Sequence, residues 1–145
     1  MSRQRHPLYR SRIHPKTHPG TVGGEYNFTY AGKDYSLPGR FLQDPSSPDG
    51  LRWIATRESN RIIRHLVCGM ANAQCELEKS EQCWKWAPVD RGHPHHLKHK
   101  KMGGAFTDDR IWILIDGELT KLRVWSCPVC HFDHHNHLHW SRRAA

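Results

Sequence analysis

Cys127-Pro-Val-Cys130-His131-Phe-Asp-His134-His135 is the stretch of sequence that decides the fold, because it combines two kinds of metal ligand. Two cysteines separated by two residues have the spacing of one half of a tetrahedral zinc site. Pro128 is acceptable in the first turn of a helix, and His131 and His135 are four residues apart, so both imidazoles would point toward one ion. The stretch therefore predicts a helix, from Pro128 to about Trp140, that connects a sulfur site with a nitrogen site.

The sulfur site needs two more ligands, and three further cysteines are available. Cys75 and Cys83 flank a short, turn-rich segment that can fold back on the later pair, whereas Cys68 lies within an amphipathic stretch. In a chain without an export signal, cysteines fit zinc better than disulfides. We therefore expect one structural Zn²⁺ bound by Cys75, Cys83, Cys127 and Cys130, with Cys68 in place of Cys83 as the rival set. Loss of this metal should cost folding as well as function.

The charge balance indicates a polyanionic partner. The 145 residues, enough for one modest domain with tails, carry 22 Lys and Arg against 14 Asp and Glu, a formal charge of +8. Nucleic acid is the leading partner for such a chain, and solubility alone is the alternative explanation. No run approaches the roughly 18 apolar residues of a membrane span, and Met1 to Gly20 lacks the apolar region of a signal peptide. We expect a cytoplasmic protein that does not bind membranes.

Composition divides the chain into three consecutive parts. Residues 1–24 are rich in Arg, His, Pro and Gly and predict a flexible basic arm. Residues 25–55 are predicted to hold a β-hairpin and a linker: Glu25 to Leu37 alternates around a Gly-containing turn, and Pro38 to Gly50 is rich in turn residues. Residues 56–145 form the third part, with a core at about 75–137.

The third part is predicted to mix helix and strand. Thr56 to Met70 has apolar residues at helical spacing after a threonine that can cap it, so it predicts an amphipathic helix. Asp109 to Ile115 and Leu119 to Trp125 predict two antiparallel strands joined by an Asp-Gly turn. Trp84 and Trp86 are two apart in a turn-rich segment, and we expect them in the core rather than on a base-stacking surface.

A second histidine signal lies upstream of the helix. His95 and His96 are adjacent, and on an extended chain they point in opposite directions, so one can bind a metal while the other stays free. A free imidazole can take a proton from water, and a cation can stabilise charge on a phosphodiester under attack. The histidines therefore indicate metal-assisted phosphodiester hydrolysis.

The combined segments resemble the HNH endonuclease family. The matching residues are Gly92-His-Pro-His95-His96-Leu-Lys, then Lys101-Met-Gly103-Gly104, then Cys127-Pro-Val-Cys130-His131-x3-His135. The resemblance covers roughly Cys75 to His137, less than half of the chain. It implies a ββα-metal core, in which a His motif on one strand, a loop and a second strand precede a ligand-bearing helix. The expected fold class is α+β, a small zinc-stapled core of this type with an N-terminal β-hairpin and a connecting helix.

The resemblance also implies roles for individual residues. His96 matches the general base, and His95, His131 and His135 match the metal ligands, with His134 as a rival for His135. The family usually has an Asn after the glycine loop that helps fix the base, whereas this chain reads Asp108-Asp109-Arg110. Arg110 stands near the expected place, and the role passes to Arg110, to Asp109 or to backbone.

The activity implied is metal-dependent hydrolysis of double-stranded DNA, leaving a 3′-hydroxyl and a 5′-phosphate. The catalytic cation would be Mg²⁺ or Mn²⁺, although three imidazoles would also hold Zn²⁺ or Ni²⁺. Such a protein would be of bacterial or phage origin. Five basic residues flank the site and are candidates for binding DNA phosphates: Lys98, Lys100, Lys101, Arg142 and Arg143. The alternatives are a zinc-dependent nucleic-acid-binding protein with a vestigial nuclease site, and a protein that only stores metal.

Overall fold

The computed structural model describes residues 8–11, 21–78, 80–97 and 108–132 of the chain, with backbone alone for 8–11 and 21–23. In these ranges the strands are β1 Leu8–Ser11, β2 Thr21–Tyr30, β3 Lys33–Gln43, β4 Leu51–Ala55, β5 His93–His96, β6 Trp112–Ile115, β7 Glu118–Lys121 and β8 Arg123–Ser126. Helix α1 is Arg57–Met70, and a second helix, α2, begins at Pro128 and is described through Phe132. The mixture of sheet and helix confirms the α+β class.

The chain forms two compact units that interleave along the sequence. The first, here the sheet unit, takes Met1–Arg61 and His96–Leu122; the second, the cysteine unit, takes Ile62–His95 and Arg123–Ala145. The boundaries predicted from composition were consecutive, at residues 24 and 55. Composition cannot reveal the interleaving, because it arises when β5 pairs with β8, two strands far apart in sequence.

The sheet unit contains an antiparallel sheet of four strands in the order β1-β2-β3-β4. Ala31 and Gly32, with φ of 52° and 79°, form the two-residue turn between β2 and β3, and a positive φ at both positions suits the twist of a hairpin. Alternate residues on β2, β3 and β4 point to one face and are buried: Tyr26, Phe28, Leu37, Phe41 and Trp53. This aromatic face is the core of the unit.

The sheet is larger than the predicted hairpin. The hairpin was expected from Glu25 to Leu37, but its two strands run from Thr21 to Gln43, and Leu8–Ser11 adds β1 within the stretch predicted as a flexible arm. Strand addition uses the backbone donors and acceptors along the edge of β2, so it does not need the apolar side chains that the arm lacks. The predicted linker from Pro38 likewise begins as part of β3, and its turn is confined to Asp44–Gly50, where Asp44 N donates to Gly50 O at 2.9 Å.

Helix α1 confirms the prediction made for Thr56 to Met70. Thr56 caps it, because its Oγ1 accepts a hydrogen bond from Ser59 N at 3.1 Å, and Ile63 and Val67 are fully buried on one face. The helix ends before Asn72, which has a positive φ of 53°. In the part of the chain that the structure describes, no helix has the length and apolar character needed to cross a membrane.

The strands after residue 108 agree with the prediction in type and differ in extent. Asp116 and Gly117, with φ of 53° and 81°, form the predicted turn between β6 and β7. The strand predicted from Leu119 to Trp125 is divided at Leu122, which is 1% exposed and donates its N–H to Ile111 O at 2.6 Å. Burial of Leu122 interrupts the ladder, so β7 pairs with β6 and β8 pairs with β5.

Candidate metal centre and active site

Four cysteines of the cysteine unit converge on one point. The sulfur atoms of Cys75, Cys83, Cys127 and Cys130 all lie within 4.8 Å of one another. Thiolates around a tetrahedral Zn²⁺ with Zn–S bonds of about 2.3 Å are roughly 3.8 Å apart, so small movements would close the site on an ion. The predicted set is confirmed as a group that could bind a metal such as zinc, and the rival Cys68 is buried on α1 outside it.

Local hydrogen bonds shape the chain around these sulfurs. On one side, Lys85 N donates to Cys83 Sγ at 3.2 Å, and Cys83 N donates to Ser80 O at 3.1 Å. On the other side, Cys130 N donates to Cys127 Sγ at 3.4 Å from the first turn of α2. Backbone N–H groups directed at sulfur stabilise the thiolate, which is the form that binds a metal.

The cysteines differ in how readily they ionise. Burial raises the pKa of the Cys83 thiol. Burial acts in the same direction on Cys127, but the backbone N–H groups of Trp84 and Cys130, together with the thiols of Cys130 and Cys75, outweigh it and lower the pKa of Cys127 to about 7. Cys127 therefore ionises more readily than Cys83.

Histidine rings gather beside α2 in the same unit. His95, on β5, is 4% exposed, and its ring centroid lies 5.1 Å from that of His131, which stands in the first turn of α2. These are two of the three predicted ligands of the catalytic cation. The third, His135, and its rival His134 lie outside the described residues, as do Gly103, Gly104 and the five basic residues from Lys98 to Arg143 predicted to bind DNA.

His93 joins this group although it was not among the residues predicted to bind metal. Its ring stacks on that of His131, with centroids 4.8 Å apart and planes inclined by 25°. Burial, helped by the charge of Arg64, lowers the pKa of His93 and favours the neutral ring that can bind metal. Alternation along an extended strand places residues 93 and 95 on one face, and that signal could have identified it.

Side chains from β8 fix the backbone of β5. Arg123, 3% exposed, donates from Nε and Nη2 to Pro94 O at 3.0 and 2.8 Å, and Ser126 Oγ donates to His93 O at 3.1 Å. Buried hydrogen bonds from a charged group are among the stronger ones. The strand that carries the histidines is therefore held rigidly.

His96 is the first residue of the later segment of the sheet unit, and it contacts a carboxylate of that same unit. Its Nε2 lies 3.1 Å from Asp109 Oδ1, and the side chain is 36% exposed. Asp109 is itself fixed to β4, because its Oδ2 accepts from Ala55 N at 2.9 Å and its N–H donates to Trp53 O at 2.9 Å. When the Asp109 carboxylate accepts a hydrogen bond from the protonated Nε2 of a neutral His96 ring, Nδ1 carries the lone pair that can act as a base.

Arg110 lies in the core of the sheet unit. Its side chain is fully buried, and it donates to Asp49 Oδ2 at 2.7 Å and to Asp108 Oδ2 at 2.6 Å. Its guanidinium also faces the ring of Phe41, at 5.5 Å. Of the residues weighed for the place of the family Asn, Asp109 is thus the one that contacts His96, while the guanidinium of Arg110 is engaged by two carboxylates.

No family model, curated protein or solved structure matches the chain.

Proposed function

We propose that the protein is a metal-dependent HNH-type endonuclease that hydrolyses DNA phosphodiester bonds. The observation that carries the proposal is the contact between His96 and Asp109, which gives the residue next to His95 the environment of a general base. A carboxylate that fixes the tautomer and orientation of an imidazole is the arrangement that makes histidine an effective base.

The residues divide the work of hydrolysis between them. His96 takes a proton through Nδ1 from the attacking water, and Asp109 stabilises the imidazolium that forms. A divalent cation, Mg²⁺ or Mn²⁺ in this proposal and Zn²⁺ or Ni²⁺ as further possibilities, would be held by His95, His131 and His135 and would stabilise charge on the scissile phosphate. The buried contacts of Pro94 with Arg123 keep His95 in position.

The proposed structural zinc would support the same chemistry from the start of α2. Cys127 and Cys130 stand at the start of α2, directly before His131. An ion bound by the four cysteines would therefore fix the turn that presents His131. The net charge of +8 supports double-stranded DNA as the substrate, with affinity that falls as salt concentration rises.

Nicking of supercoiled plasmid in the presence of Mg²⁺ or Mn²⁺ tests this function. We expect wild-type protein to nick the plasmid. His96→Ala should reduce the rate at least about 100-fold, and Asp109→Asn at least about 10-fold because an amide can impose the wrong tautomer on His96. The matched control is His65→Ala, which removes an exposed histidine of α1 and should leave the rate unchanged. Equal rates for wild type and His96→Ala would contradict the assignment.

One observation favours a second candidate, a zinc-dependent nucleic-acid-binding protein with a vestigial nuclease site. Arg110, near the place of the family Asn, is engaged in buried ion pairs with Asp49 and Asp108, so its guanidinium does not supply the contact by which that Asn helps fix the base. The plasmid assay separates the two functions. If wild type and His96→Ala bind DNA equally and neither nicks it with either metal, the binding function is the correct one.

A further inference from the structure

The side chains of two tryptophans in the cysteine unit are exposed to solvent, and neither proposed metal site includes them. Trp84 and Trp86 are 40% and 56% exposed, whereas Trp53, Trp112 and Trp125 are at most 7% exposed. This arrangement makes the prediction of core positions for Trp84 and Trp86 wrong. Large aromatic side chains left at the surface give up the free energy of burial, and a pair of them marks a surface that a ligand can cover.

The backbone that carries this pair is held on both sides. Trp84 N donates to Cys127 Sγ at 3.5 Å, Cys75 N donates to Lys85 O at 3.1 Å, and Ala87 N donates to Ala73 O at 2.8 Å. Lys85, between the two rings, has a left-handed φ of 67°. Because the backbone is already ordered, a ligand that binds the rings pays little of the entropy of ordering a loop.

A cation accompanies the aromatic surface. The guanidinium of Arg91 lies over the ring of Trp84, 5.4 Å from its centroid, and Arg91 is exposed. A guanidinium held on an aromatic face keeps N–H groups that can donate to a phosphate. Flat apolar rings beside such a group suit a ligand that has flat bases joined by phosphates.

We propose that Trp84, Trp86 and Arg91 form a site for unpaired nucleobases, so that the protein binds single-stranded nucleic acid through its cysteine unit. The inference rests on the proposed function in taking nucleic acid as the partner, and it adds a strand preference that duplex cleavage does not require. Stacked bases in a duplex present no open face to a ring, whereas unpaired bases do.

The charges around the site indicate that stacking supplies most of its affinity, in addition to the phosphate contact proposed for Arg91. Among the described residues from 76 to 91, the exposed acids outnumber the exposed bases: Glu76, Glu78, Glu81 and Asp90 against Lys85 and Arg91. A surface without an excess of bases releases few counterions when a strand binds. Loss of the rings should therefore weaken binding to bases and leave the salt dependence of binding unchanged.

Anisotropy titration of a fluorescent oligo(dT) of about 12 nucleotides, within the range of single-strand site sizes, tests the site. The background is full-length His96→Ala without added Mg²⁺ or Mn²⁺, so cleavage does not interfere. Trp84→Leu and Trp86→Leu should each weaken binding about 5- to 150-fold, which is the range for losing one stacked base. Trp84→Phe and Trp86→Phe keep an aromatic face and should retain most of the affinity. An abasic strand of equal length should bind all variants alike.

The matched control is Leu114→Ala, which removes a 43%-exposed apolar side chain of the sheet unit and should leave oligo(dT) binding unchanged. Zinc content and far-ultraviolet circular dichroism establish that each variant is folded. If a Leu variant does not fold, the background protein and the Phe variants still test the site, because each should bind oligo(dT) more tightly than the abasic strand.

Two results would overturn the site. If the folded Leu variants bind oligo(dT) as tightly as the background protein, the site is wrong, and an apolar protein partner is then the better explanation. If the abasic strand binds as tightly as oligo(dT), the site is equally wrong. Plasmid that is never nicked, together with a loss of oligo(dT) binding in the Leu variants, overturns the nuclease alone.

Discussion

Asp49 forms an ion pair with Arg110, whose side chain is fully buried in the sheet unit. Its carboxylate accepts from Arg110 Nη1 at 2.7 Å and Nη2 at 3.2 Å, while Asp108 accepts from the same guanidinium. Burial alone would raise the pKa of Asp49, but the hydrogen bonds and charge of Arg110, with the Ser47 hydroxyl and Leu51 N–H, lower it below its ordinary value of 3.8. The ionised form of Asp49 is therefore stabilised by folding.

We predict that Asp49→Asn lowers the free energy of unfolding at pH 7 by about 2–3 kcal/mol, because it leaves a buried cation with one carboxylate fewer. The pKa of Asp49 is lower in the folded state, so its contribution is full above about pH 4 and is lost as pH falls through the folded pKa. Urea unfolding from pH 7 to pH 3 should show the gap between wild type and variant closing at the acid end.

The matched control for this measurement is Asp44→Asn. Asp44 lies 3.7 Å from Arg52 in a pair that is partly exposed on both sides, so its loss should cost less than about 1 kcal/mol. A gap between wild type and Asp49→Asn that stays constant down to pH 3 would contradict the ion-pair explanation.

The sequence could not predict this group, because Asp49 and Arg110 are 61 positions apart and join only when the fold is complete. The same distance in sequence explains why Arg110 was selected as a catalytic candidate. By contrast, the sequence could suggest Asp109 as a partner of His96. The two residues are 13 positions apart, and Asp109 lies near the position at which the HNH family has its Asn.

Among the elements, β5 depends on a glycine at its entrance. A Cβ at Gly92 would lie 2.6 Å from Trp125 Cε2 and 2.9 Å from its Nε1. The ring cannot withdraw easily, because Trp125 is fully buried and its Nε1 donates to Ala87 O at 2.8 Å. Only a residue without a side chain lets β5 start this close to the indole.

We predict that Gly92→Ala lowers the free energy of unfolding by about 1–3 kcal/mol, the usual range for an overpacked core. Gly69→Ala is the opposite case, since Gly69 lies on α1 and a Cβ there meets nothing within 4 Å. Alanine at a helical position should stabilise the protein by about 0.5–1 kcal/mol. Thermal or urea unfolding of both variants measures these changes in the free energy of unfolding. A Gly92→Ala protein as stable as wild type would refute the close contact.

Elements with a strong local signal were predictable, and elements made by distant pairing were not. Helix α1 has apolar residues at helical spacing and a cap, and the Asp116-Gly117 turn has the residues that accept a positive φ. Strand β1 pairs through its backbone with β2, which its side chains do not reveal. Trp84 and Trp86 are two positions apart, a spacing that is the same for a buried face and for an exposed one, so the sequence alone could not decide between them.

At the scale of the whole molecule, the cysteines show what chemistry can predict across a long separation. Cys75 and Cys83 were assigned to Cys127 and Cys130 because a tetrahedral ion needs four ligands, and the structure brings these sulfurs together. No comparable chemical requirement in the sequence predicts the interleaved division into two units. It follows from the pairing of β5 with β8, two strands that are also joined by the buried contact of Arg123 with Pro94.

Because the chain forms two units, we expect loss of the proposed zinc to affect mainly the unit that contains the cysteines. A structural Zn²⁺ bound by cysteines contributes about 10–16 kcal/mol, as much as the whole stability of many domains. Among the described residues, the hydrophobic cluster that contains the cysteines has Ala87 as its other buried member and partial cover from Leu77 and Val129, so this cluster offers little apolar burial in place of the ion. The sheet unit has its own aromatic core and should not depend on it in the same way.

We therefore predict that Cys83→Ser lowers the zinc content and increases hydrogen exchange at the amides of Cys75, Glu76 and Ala87, which bond within the cysteine unit. Amides in the paired strands β2 and β3 should keep their protection. The matched control is Cys68→Ser, at a buried cysteine outside the cluster, which should keep the zinc and the wild-type exchange pattern around it. Equal loss of zinc in both variants would refute the assignment of the ligands, and equal loss of protection in both units would show that the sheet unit cannot stand without the metal.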